Sequence, residues 1–177
     1  MKYYISVLLF FGILFFGYAQ KSTLQIVKAE GVFILDGILD DAIWKNATKF
    51  NFSEFSPNWN SIDSLTTMLV TFDDENLYVG LRAEEPNPEK IIKRNLMRDG
   101  WYGDDFFTFH IDPNLTKKNA LVFSIYPSGS RYDMSISNDG IPLGNSTFNS
   151  SYDMVWDGKT TIDKNGWMAE YKIPLTN

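Results

Sequence analysis

Three pairs of short, apolar-rich runs, each pair joined by four turn-forming residues, set the fold class of this 177-residue chain. Leu65–Phe72 and Leu77–Glu84 flank Asp73-Asp74-Glu75-Asn76. Ala120–Tyr126 and Arg131–Ser137 flank Pro127-Ser128-Gly129-Ser130, and Val155–Ile162 and Trp167–Ile173 flank Asp163-Lys164-Asn165-Gly166. Runs of this length are strands, and connections this short join antiparallel neighbours. Phe106–Asp112 alternates, with Phe107, Phe109 and Ile111 on one face and Phe106, Thr108 and His110 on the other; that is the period of a half-buried strand. The pattern predicts an all-β, antiparallel β-sandwich, jelly-roll-like and immunoglobulin-like in general shape, with one or two short helices. The helix candidates are Asp40–Ala47, with Asp40 as N-cap and Ile43 and Trp44 facing inward, and Pro88–Asn95, with Pro88 at its first position. Asn138–Ser151, rich in Gly, Asn and Ser, is the longest loop-like stretch.

Met1–Ala19 reads as a signal peptide. Lys2 precedes an apolar run, Ile5–Phe16, and Gly17 and Ala19 are the small residues before a cut at Gln20. The run falls short of the ~20 apolar residues that span a bilayer. A single exported domain over 20–177 is therefore expected, with no transmembrane helix after cleavage, in the periplasm, at the outer membrane or outside the cell. The absence of cysteine excludes a disulfide framework and cysteine-based metal or redox chemistry. A net charge of −6 argues against a nucleic-acid partner and suits a neutral ligand or a cation.

Catalysis has no signature here. His110 is the only histidine, and neither a Gly-x-Ser-x-Gly elbow nor a His-Glu-x-x-His helix is present. Carboxylates are numerous, but nothing singles out the pair that glycoside hydrolysis needs. The expectation is a non-enzyme that requires no cofactor. Asp99, Asp104 and Asp105 are near enough in sequence to hold a hard cation such as calcium. Trp44, Tyr78 and Trp167 read as core, whereas Trp101 and Tyr102, between Gly100 and Gly103, read as a loop platform.

Four marks in order give a more specific reading. They are Asp36-Gly37-x-Leu39-Asp40-x-x-x-Trp44, then Phe72-Asp73-Asp74-Glu75-Asn76-Leu77-Tyr78-Val79, then Asp105 leading a strand that ends at Asp112, then Gly166-Trp167-x-Ala169-Glu170 with Ile173-Pro174. Together they resemble the family 9 carbohydrate-binding module over about Ile34 to Pro174. With Arg98-Asp99 ahead of the acidic strand, the chain looks most like the N-terminal domain of long secreted bacterial proteins of unknown function, whose larger C-terminal part is β-rich and membrane-associated. The resemblance implies a terminal sugar held between two Trp rings. Trp101 corresponds to the first ring, with Tyr102, Asp104, Asp105 and Thr108 as its polar surroundings. Thr108 stands where the family has a hydrogen-bonding Glu. The second ring would come from strands that the family continues into beyond Asn177, so the module is expected to be truncated. The partner is then a saccharide or the remainder of a longer chain. A structural domain packing on that remainder, and part of a carbohydrate-active hydrolase, are the alternatives.

Overall fold

The computed structural model describes residues 24–52, 66–100, 103–141 and 147–176. Within them nine strands form two antiparallel sheets. They are β1 (Thr48–Asn51), β2 (Thr66–Phe72), β3 (Asn76–Glu84), β4 (Phe107–Ile111), β5 (Ala120–Ile125), β6 (Arg131–Ile136), β7 (Phe148–Asn149), β8 (Asp157–Asp163) and β9 (Gly166–Pro174). One sheet has the order β1-β2-β3-β9-β8 and the other β4-β5-β6-β7. The three expected hairpins are β2–β3, β5–β6 and β8–β9. The long β3–β9 pairing joins the first hairpin to the last, from Asn76↔Pro174 to Glu84↔Gly166.

Strand alternation builds the core between the sheets. β3 contributes Val79 and Leu81, β9 contributes Trp167, Ala169, Tyr171 and Ile173, and β5 contributes Phe123 and Ile125. Four rings close a square across the two layers. Trp156 stacks on Tyr171 at 5.4 Å, Tyr171 meets Phe109 edge-on at 5.1 Å, Phe109 stacks on Phe123 at 5.4 Å, and Phe123 meets Trp156 edge-on at 5.6 Å. Offset and edge-to-face contacts of this kind add to area burial. The Tyr171 hydroxyl donates to the Phe107 carbonyl at 3.0 Å, a polar tie from one sheet to the other.

The outer face of the five-stranded sheet carries a second cluster, in which Ile43, Trp44 and Tyr78 are buried against Phe33 and Leu39. Its centre is Gly80. A Cβ there would lie 2.8 Å from Leu39 Cδ2 and 3.2 Å from Trp44 Cζ3, so the missing side chain is what lets the indole lie on the sheet. Glu170 is directly opposite Gly80 on β9 and is fully buried. Its Oε1 accepts the Trp44 Nε1–H at 2.9 Å, and its Oε2 accepts the amides of Asp36 at 3.0 Å and Gly37 at 2.8 Å. Asp-Gly-x-Leu-Asp-x-x-x-Trp and Trp-x-Ala-Glu are thus one structural unit, joined across more than a hundred residues of sequence.

Both helix expectations are corrected to single 3₁₀ turns, and no α-helix occurs among the described residues. In the first, only Ala42–Trp44 turns. Asp41 holds the cap position, yet its carboxylate is spent on the Ile34 amide at 2.7 Å, and no side chain caps the turn. Ile43 and Trp44 do face inward. In the second, the turn stops at Pro88–Lys90 because the following amides are bonded laterally. Ile92 N–H donates to Asp105 Oδ2 at 2.8 Å, and Asn95 N–H to Asp104 Oδ2 at 2.5 Å. The loop-like stretch from Asn138 contributes a short 3₁₀ turn, Asn138–Gly140, and the edge strand β7. The signal-peptide segment lies outside the described residues. No described helix is long and apolar enough to cross a membrane.

Candidate functional site

Residues 92–100 and 103–105 carry the described parts of the expected binding loop from the 3₁₀ turn to β4, laid over the end of the β5–β6 hairpin. The two arms are bonded to each other, through the Asp104 and Asp105 carboxylates and through Asp105 N–H donating to the Ile92 carbonyl at 3.1 Å. The hairpin holds the loop from beneath. Ser130 Oγ donates to the Met97 carbonyl at 2.5 Å, Ser128 Oγ donates to the Asn95 carbonyl, and the Tyr126 hydroxyl donates to the Gly100 carbonyl at 3.1 Å. Asp99 takes a positive φ of 60° at the bend, and its amide donates to the Arg131 carbonyl at 2.9 Å.

Arg98 anchors the same loop sideways. Its Nη2 donates to Asp133 Oδ1 at 2.9 Å, to the Met154 carbonyl at 3.0 Å and to Asp153 Oδ1. Asp133 is buried and also accepts from Trp156 Nε1 at 3.0 Å and from Met154 N–H at 2.6 Å. Burial pushes the Asp99 carboxyl up; Arg98 opposes that, while Asp133 and Asp153 add to it. The phenols of Tyr126 and Tyr132 beneath are also raised, chiefly by burial.

Between the arms opens a cleft of about 520 Å³ lined by Arg94, Asn95, Leu96, Met97, Gly103 and Asp104. The Asp104 side chain is only 1% exposed. Its Oδ2 is occupied by Asn95 N–H, whereas Oδ1 is buried with no hydrogen-bond partner among the described residues. Arg94 Nε stands 3.5 Å away, an ion pair without a hydrogen bond. Leu96 and Met97 project outward, 81% and 61% exposed. The cleft therefore combines a carboxylate whose second oxygen is buried without a hydrogen bond, one guanidinium and an apolar wall. A hydroxyl-rich ligand with an apolar face matches all three.

The expected site residues separate. Asp104 lines this cleft. Trp101 and Tyr102 lie outside the described residues, between Gly100, which accepts Asn95 Nδ2–H at 3.0 Å, and the cleft-lining Gly103. Asp105 lines a different cleft of about 220 Å³, on the side of Glu84, Glu85 and Phe106. Thr108 is on the outer face of β4, where its Oγ1 accepts from Ser124 Oγ at 2.9 Å, and it does not line the main cleft. Asp99 pairs with Arg98 Nε at 3.5 Å. Among the described residues no group of three or more His, Asp or Glu is arranged to hold a metal ion. Trp44, Tyr78 and Trp167 are buried, as expected of core residues. Arg94, Asn95, Leu96 and Met97 are the cleft residues that sequence reading missed. Their signal was an apolar pair one residue after two cations, Lys93-Arg94-Asn95-Leu96-Met97, in a run without strand alternation.

No family model and no curated protein matches the chain. Solved structures do. A family 9 carbohydrate-binding module from Caldicellulosiruptor kristjanssonii in complex with cellotriose aligns over 86% of this chain and 68% of that one, with a TM-score of 0.53 and 18% identity. This chain has the family 9 fold. The same kind of module from that organism in complex with glucose aligns over 86% of this chain and 69% of that one, with a TM-score of 0.54 and 18% identity.

Proposed function

We propose that the chain is a non-catalytic carbohydrate-binding module of a larger secreted protein. The observation that carries this reading is Asp104, which lines the cleft with Gly103 and whose Oδ1 is a buried carboxylate oxygen without a hydrogen-bond partner among the described residues, two residues on in sequence from Tyr102. The neighbours of this fold are binding modules, two of them holding a saccharide, which supports the same class here. In this reading Trp101 covers the apolar face of a sugar ring and Asp104 accepts a hydroxyl proton. Tyr102 adds to the platform, while Asp105 and Thr108 flank the site. A hydrogen bond to a charged acceptor is worth roughly 1.5–3 kcal/mol, so Asp104→Asn should weaken saccharide binding at least tenfold. Trp101→Ala should abolish the saccharide-induced change in Trp fluorescence. Calorimetry and fluorescence with an oligosaccharide panel provide the check, and unchanged affinity in both variants would sink the assignment.

A further inference from the structure

We infer that the ligand of this cleft is an acidic saccharide, one that carries carboxylate or sulfate groups; the inference rests on the reading just given. Its basis is a local reversal of charge. The whole chain carries −6, yet the run 88–98 holds Lys90, Lys93, Arg94 and Arg98 against Glu89 alone. Arg98 is consumed internally by Asp133 and Asp153. The other three are exposed, and neither Lys90 nor Lys93 has an ion pair among the described residues. Arg94 meets Asp104 only through Nε, at 3.5 Å with its side chain 77% exposed. Its terminal nitrogens therefore remain as a two-pronged donor, the geometry that recognises carboxylate and sulfate.

The placement is as informative as the count. A second open cleft, about 420 Å³ and lined by Glu89–Arg94, shares Arg94 with the Asp104 cleft, so Lys90 and Lys93 line a depression that adjoins it. A neutral sugar accepts hydrogen bonds from that rim but gains none of its charge attraction. Two unpaired lysines beside a site of an acidic protein raise the local concentration of anions and favour them over neutral competitors. An anionic membrane is the rival occupant, since Ile92, Leu96 and Met97 project among the same cations. A flat lipid surface, however, makes no use of a buried acceptor at the cleft floor. A sugar that presents both hydroxyls and an acid group uses Asp104 and Arg94 together.

The experiment is calorimetry on the full chain with oligogalacturonate, a sulfated chondroitin oligosaccharide and a cello-oligosaccharide of matched length, at about 0.05 and about 0.3 M salt, between which the screening length differs about 2.5-fold. At least one acidic oligomer should bind tenfold or more tighter than the neutral one at low salt, with the advantage shrinking at high salt. Lys90→Gln/Lys93→Gln should cut that advantage several-fold and leave neutral binding within twofold, and Arg94→Gln should abolish it. Equal or tighter binding of the neutral oligomer would overturn this inference and leave the saccharide reading standing. No binding of any oligomer would overturn both. An acidic preference that survives both sets of variants, or binding confined to phosphatidylglycerol vesicles, also overturns it.

Discussion

Glu170→Gln is the perturbation that most directly tests how the two ends of this domain hold together. Glu170 is 0% exposed and receives three donors on two oxygens: Trp44 Nε1 on one, and the Asp36 and Gly37 amides on the other. Glutamine has the same shape but replaces one acceptor oxygen with an NH₂ group. If its oxygen stays under the two amides, the NH₂ faces the Trp44 N–H, and two donors oppose each other. If it turns over, two backbone amides are orphaned instead. Each buried group left unpaired costs about 1–3 kcal/mol. Removing the charge returns part of that, because burial already pushes the Glu170 carboxyl up against the pull of its three donors.

The balance is a loss of about 3 kcal/mol, or about 6 to 12 °C in melting temperature for a domain of this size. Urea unfolding followed by Trp fluorescence measures it. Trp44→Phe supplies the second edge of a cycle, since a phenyl ring keeps an aromatic side chain in the cluster without the donor. In that background the glutamine NH₂ opposes nothing, so the two changes together should cost at least ~1 kcal/mol less than their sum. Additive costs, or an E170Q loss below about 1 kcal/mol, would refute the account of the motif as one hydrogen-bonded unit.

Gly37→Ala should be more damaging than any exposed glycine replacement. The residue has φ of +87°, and a Cβ would lie 2.8 Å from the Thr160 backbone N and C atoms, which cannot give way. A loss of about 2–4 kcal/mol in urea unfolding is expected, and a change within 0.5 kcal/mol would contradict the close approach. Tyr78 should give the fold an alkaline limit. Burial first, and then its bond to Asp73, pushes its phenol from 10.0 up to about 12. The folded state holds that proton more tightly, so the contribution is intact below pH 10 and falls by about 3 kcal/mol as pH rises through 12. The stability gap between wild type and Tyr78→Phe should therefore narrow over that interval; a constant gap would argue against it.

The hairpins were legible because each depends on neighbours in sequence. Asp73 shows why: its carboxylate accepts the Glu75 and Asn76 amides at 2.8 and 2.7 Å, closing the turn with local chemistry alone. The two helices were misread for the opposite reason. Pro88 at a first helical position is a local signal, but the amides after it found better acceptors in Asp104 and Asp105, which only tertiary contact supplies. Trp44 was legible as core from its motif. That its partner is a buried carboxylate opposite a glycine was not, because registry between β3 and β9 is a property of the sheet.

The candidate site divides along the same line, and charge shows it best. Net charge is a sum over the chain, and −6 suggested a neutral or cationic ligand. A ligand meets only the charges that face its cleft, and folding sorts them. Arg98 and Asp133 cancel each other beneath the loop, and Asp105 is turned to a different cleft. Asp104 is sunk from view, which leaves Lys90, Lys93 and the end of Arg94 at the rim against Glu89 alone. The whole molecule repels anions at long range, but beyond roughly 10 Å that repulsion is screened at ordinary ionic strength. Within that range the rim decides, and so an acidic protein can select an acidic ligand.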